Sequence, residues 1–245
     1  MDKLIYTAMS GAKATMGQQA AVAHNLANAT TNGFRAELHK FRSVPVQSPA
    51  LATRAFVVDA SVASDMKPGP MIQTGSPFDM AVHGSGWFVV QGADGKDAYT
   101  RNGAFTVDAN GVLRTANGLA VQGDGGEITV PEGTRIEVGS DGSISATPTT
   151  GNATTGSVIG RLKLVNPPEA DLRRGEDGLF RTASGTPAAQ DDSVRVHGGF
   201  IEGSNVNVVE QMVTMLSLAR HFEMNTKLLE TAKEDDRVAT AILAR

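Results

Sequence analysis

Five histidines, His24, His39, His83, His197 and His221, are the side chains best suited to metal or proton chemistry. None has a second histidine four residues away beside a carboxylate, so ligation would depend wholly on long-range folding, and packed or solvent-facing histidine is the plainer reading. Gly84-Ser85-Gly86 lacks the spacing of a nucleophile elbow and reads as a tight turn. Gly123-Asp124-Gly125-Gly126 has part of the form of a phosphate or calcium loop. It has no following helix, no lysine and no repeat, so it reads as a hairpin turn. Asp108 and Asp141 are turn residues before they are an acid–base pair. Cysteine is absent from all 245 residues, which removes disulfides and every thiolate metal site. The expectation is therefore no catalytic residue, no cofactor, no metal and no enzyme activity.

Charge and aromatic content narrow the partners. Lysine and arginine number 22 against 26 acidic residues, a net of −4, without blocks of either sign. That balance argues against nucleic acid and against an electrostatic membrane anchor. Nine Phe, one Trp and two Tyr are too few for stacking platforms. No run approaches the ~18 apolar residues of a membrane span, so direct membrane insertion is not expected. Gln18, Gln19, His24 and Asn25 break up any signal-peptide core at the start, so a chain that leaves the cytoplasm is expected to do so without a cleaved leader.

The elements that would position any site follow from the turn formers. Twenty-four of 27 glycines lie between Gly69 and Gly203, and every proline between Pro45 and Pro187. Two ends almost free of helix breakers flank a middle full of them, a helix–β–helix plan. In the first end Ile5, Met9, Ala12, Met16, Gln19, Ala23 and Leu26 recur at alternating spacings of four and three, the period of a coiled-coil seam. Asn32-Gly33 is its expected stop. The second helix is expected to start at Asn207, whose spacing to Glu210 is that of a capping box. Val208, Met212, Met215, Ala219, Phe222, Thr226 and Leu229 repeat the alternation. Such ridges at opposite ends, outside a middle that can close on itself, are expected to find cover on other chains.

In the middle, short β-prone runs include 78–82, 87–91, 104–108, 112–115 and 158–165. They alternate with Asp94-Gly95, Asn102-Gly103, Asn110-Gly111, Asn117-Gly118 and Asp141-Gly142, pairs that favour hairpin turns. Residues 147–157 are small and polar and read as a mobile loop. The predicted class is α+β: long N- and C-terminal helices paired as a coiled-coil-like layer, with a central antiparallel β domain, sandwich or open barrel. The expected boundaries are 1–34 for an assembly helix with its following motif, 35–77 for an extended linker, 78–203 for the β domain and 204–245 for the second assembly helix. The expected assembly interface is Ile5, Met9, Ala12, Met16, Ala23, Leu26, Val208, Met212, Met215, Ala219, Phe222 and Leu229.

One stretch is more specific. Asn25-Leu26-Ala27-Asn28-Ala29-Thr30-Thr31-Asn32-Gly33-Phe34-Arg35 resembles the N-terminal signature of flagellar rod and hook proteins, carried here by Asn25, Leu26, Ala27, Asn28, Thr31, Gly33, Phe34 and Arg35. The opening MDKLIYTAMSGA is similar to the proximal-rod branch of that family, residues 78–121 to its β-domain pattern, and Gly203-Ser204-Asn205-Val206-Asn207-Val208-Val209-Glu210 to the start of its C-terminal helix. His24 departs from the asparagine that relatives often carry. The resemblance implies a non-enzymatic, self-assembling subunit of the bacterial flagellar axis, needed for motility, in the basal-body rod that spans the periplasm. Its implied partners are copies of itself, other rod proteins (proximal below, distal above) and the flagellar type III export apparatus. A distal-rod or hook-type sibling, and a secreted β-sandwich adhesin or binding module, remain the alternatives.

Overall fold

The computed structural model describes residues 2–45, 55–149 and 156–243. The chain divides into two compact units. A helical unit comprises Met1–Ala29, Ala36–Asp65 and Val206–Arg245, and a β unit comprises Thr30–Arg35 and Met66–Asn205. The centre of the loop expected at 147–157 lies outside the described residues.

In the helical unit, α1 spans Asp2–Ala27 and α2 spans Val208–Leu243. The first helix stops before its expected Asn32-Gly33 terminus, because the Asn28 side chain donates to the His24 carbonyl at 2.9 Å and closes the last turn. Asn207 caps α2 as its sequence suggests: its Oδ1 accepts from the Val209 and Glu210 amides at 3.1 and 3.3 Å. Within the stretch expected to be an extended linker, Glu37–Pro45 pairs antiparallel with Ala55–Ser64, with a register shift between Lys40 and Phe41. Both strands touch α1. No helix among the described residues is long and apolar enough to cross a membrane.

The expected coiled-coil-like layer of paired terminal helices is not what forms. The described residues hold two α-helices, one from each end of the chain, with a many-stranded β region between them in sequence. Two of the places where α1 and α2 touch are small or polar. Asn225 lies against Gly11, and the Asn25 side chain donates to Gln211 Oε1 at 3.4 Å. Met9, Met16, Val208 and Met212, assigned to the seam, are exposed instead. The period was right for a helix, but a heptad seam needs its large apolar residues inside, and here Met9, Met16, Val208 and Met212 lie outside.

The β unit is not the expected two-sheet sandwich or open barrel either. With the hairpin of the helical unit, its described strands make seven small sheets, the largest of five strands in the order Leu164–Val165, Trp87–Gln91, Asp97–Thr100, Phe180–Thr182, Leu172–Arg174. Every described pairing is antiparallel. Trp87–Gln91 is buried on both faces. Phe88 and Val90 enter one cluster with Met80, Leu113, Val121, Ile144 and Leu162, and Trp87 and Val89 enter another with Tyr99, Val165, Leu172 and Phe180. Four of the five expected hairpin glycines, Gly95, Gly111, Gly118 and Gly142, have positive φ. Gly103 does not; any side chain there would overlap the Met80 carbonyl, so its role is close approach.

Candidate functional site

Large apolar side chains stand bare on both helices. On α2, Val209 is 71% exposed, Leu216 64% and Val213 62%, and Met212, Met224 and Leu228 are exposed beside them. Val213, Leu216, Ser217, Arg220, His221 and Met224 line a shallow groove along this helix. Tyr6, Met9 and Met16 are exposed on α1. Of the expected interface, Met9, Met16, Ala23, Val208 and Met212 are exposed. Ile5, Ala12, Leu26, Met215, Ala219, Phe222 and Leu229 are half-buried. The residues that α1 buries are Ala8, Thr15, Ala21, Val22 and Asn25.

The signature residues divide between the two units. In the helical unit, buried Asn25 reads both main-chain groups of Glu37: its Oδ1 accepts from the Glu37 amide at 2.7 Å and its Nδ2 donates to the Glu37 carbonyl at 3.0 Å. Leu26 and Asn28 are half-buried and Ala27 is exposed. His24 Nδ1 lies 3.2 Å from the Glu37 carboxylate.

In the β unit, Thr31 is exposed while Phe34 and Arg35 are buried. Gly33 has φ +68°, and its amide donates to the Glu202 carbonyl at 2.7 Å. Arg35, with no exposed side-chain surface, donates through Nη1 to Glu202 Oε1 at 2.6 Å. Arg101 Nη1 reaches Glu202 Oε2 at 3.1 Å, and its Nη2 donates to the Gly84 carbonyl at 2.5 Å. Two cations therefore share one buried carboxylate, and the indole of Trp87 faces them, its centroid 5.4 Å from the Arg101 guanidinium carbon and 6.0 Å from that of Arg35. Burial is the main cause that lowers Arg101 to about 10; Glu202 opposes it and Arg35 adds to it. Removing Glu202 would cost about 3–5 kcal/mol, because it leaves both buried guanidiniums without a carboxylate. Arg174 lies over the Phe34 ring, its guanidinium carbon 4.4 Å from the centroid.

Glu202, Arg101 and Trp87 carry no local sequence signal; charged residues are read as exposed by default, and the Arg35–Glu202 pairing spans 167 positions. Of the five histidines, His83 and His197 meet edge to face with ring centroids 5.3 Å apart. Among the described residues no group of three potential metal ligands gathers. The arrangement as a whole offers surface for association and a charged knot for holding backbone.

Comparison with known proteins gives that arrangement its setting. Residues 5–35 match the flagella basal body rod protein family, 81–146 the flagellar hook protein FlgE/F/G D1 domain, and 197–242 the C-terminal region of the flagellar basal body rod FlgEFG proteins. The chain is 45% identical to the flagellar basal-body rod protein FlgF of Salmonella typhimurium, over 100% of this chain and 99% of that one. It is 44% identical to FlgF of Escherichia coli, with the same coverage. Its identity to the rod protein FlgG of Agrobacterium fabrum is 31%, over 93% and 94% of the two chains. The chain thus belongs to the flagellar basal-body rod protein family, is FlgF-like along its whole length, and is a structural subunit of the rod of the bacterial flagellar basal body.

Proposed function

We propose that this subunit joins the rod through the bare apolar faces of α1 and α2, taking copies of itself and neighbouring rod proteins as partners within the proximal part of the shaft. The observation that carries the reading is the exposure of Val209, Val213 and Leu216 on one helix and of Tyr6, Met9 and Met16 on the other. Burying each such side chain contributes about 1.5–3 kcal/mol, a gain the isolated chain forgoes. Segments 1–34 and 204–245 are then the assembly elements and 78–203 the body they carry. Passage through the flagellar type III export apparatus fits a cysteine-free chain, which cannot form stray disulfides on the oxidising side.

The test is Val213→Glu with Leu216→Glu in a strain lacking the native gene. The expected result is a secreted, folded protein with an unchanged near-ultraviolet spectrum that fails to restore swimming or rod growth. Normal motility of the double variant would refute the assignment. Isolated basal bodies, labelled on the subunit, separate a proximal position from a distal one.

A further inference from the structure

We infer that Arg35, the last residue of the signature, is a positioning residue: through Glu202 it latches segment 30–35 onto the β unit at the place where the chain enters and leaves that unit. The boundaries of the β unit fall at 29/30, 35/36, 65/66 and 205/206. All three segments beside those boundaries meet at Glu202. Its Oε1 accepts from Arg35 Nη1 at 2.6 Å and from the Gly69 amide at 2.8 Å, and its main-chain oxygen accepts from the Gly33 amide at 2.7 Å. Further bonds knit the segments to one another: the Gly203 amide donates to the Pro70 carbonyl at 2.8 Å, the Asn205 amide to the Phe34 carbonyl at 3.3 Å, and the Asn205 side chain to the Lys67 carbonyl at 3.0 Å.

The knot is also fastened to the body. Arg101 holds Glu202 Oε2 and donates to the carbonyls of Val82 and Gly84, at the end of strand Met80–His83. The charge gives the device two states. A buried guanidinium without a carboxylate is untenable, so segment 30–35 docks only with Arg35 seated on Glu202. Undocked, Arg35 is solvated and at no disadvantage, while Glu202 keeps Arg101. The six residues can therefore leave without unfolding the sheets behind them. A chain that must thread and then assemble gains from ends that dock in a defined place.

Amide exchange in the full-length chain tests this, with Arg35→Met and Arg101→Met as the paired variants. Each leaves one arginine on Glu202, so neither strands the carboxylate. The latch requires Arg35→Met to speed exchange at the Gly33 and Asn205 amides by at least about tenfold, while Leu113 and Val121, bonded within the core, stay slow. Arg101→Met should leave the exchange of Gly33 relative to Leu113 as it is in the native chain. Arg35→Lys, which keeps the cation, should restore most of the protection lost in Arg35→Met. Equal acceleration at Gly33 and Leu113, no acceleration in Arg35→Met, or no rescue by lysine would each overturn the latch and leave the cluster as ordinary core.

Discussion

Gly33 has almost no freedom. Its φ of +68° lies where L residues are strained, and any Cβ there would overlap the Asn102 amide nitrogen and the Arg101 carbonyl carbon. Gly33→Ala is expected to cost about 3 kcal/mol, read as a lowered urea midpoint of the β unit, with α-helical signal retained. Gly75 has a similar φ of +71° with nothing near its missing Cβ, so Gly75→Ala should cost only the backbone strain, about 1–2 kcal/mol. Asp108 supplies a pH-dependent term. The Arg114 guanidinium bonds its Oδ2, the Val112 and Asn110 amides bond its Oδ1, and together they hold the carboxyl below its usual 3.8. In that range the unfolded chain binds more protons than the native one. The contribution is therefore present above the unfolded value and lost as pH falls through the native one. A urea-midpoint series from about pH 5 down to about pH 2 should decline, and Asp108→Asn should decline less steeply over that range.

Among the elements, α1 shows what sequence pattern can and cannot carry. The four–three alternation fixes a helix there, and the absence of breakers after Asn207 fixes another. The buried positions Ala8, Thr15 and Val22 keep the seven-residue step but sit one residue before the expected Met9, Met16 and Ala23. Reading by hydrophobicity favours methionine over threonine for the inside. Thr15 is accommodated because its hydroxyl donates to the Gly11 carbonyl at 2.9 Å within its own helix. The signature was legible as a motif, though the helix before it ends at Ala27, short of the Asn32-Gly33 stop. The role of Arg35 was hidden, since its partner lies at the far end of the chain. Asn25 carries the prediction at this scale. It is 2% exposed and bonds Glu37 twice and Gln211 once. Asn25→Ala strands those groups and should lower the stability of the helical unit by about 2–3 kcal/mol, seen as an earlier loss of ellipticity at 222 nm.

At the scale of the molecule the two units differ in what they bury. The β unit packs Met80, Phe88, Leu113, Ile144 and Leu162 into one cluster, whereas α1 and α2 bury chiefly Ala8, Ala21, Val22, Leu218 and Ala232. Buried area sets stability, so heating should give two transitions, with helical ellipticity lost before the emission of Trp87, the chain's single tryptophan, changes. Coincident transitions would mean that the units unfold as one. The non-contiguous make-up of the β unit has a practical corollary. Anyone trimming the gene to residues 66–205 to obtain a well-behaved fragment would discard Arg35 yet keep Glu202 and Trp87, which it meets. The excised piece would keep Glu202 on Arg101 but leave its Oε1 side open beside the indole, and a synthetic hexapeptide of sequence TTNGFR should bind there and mend it.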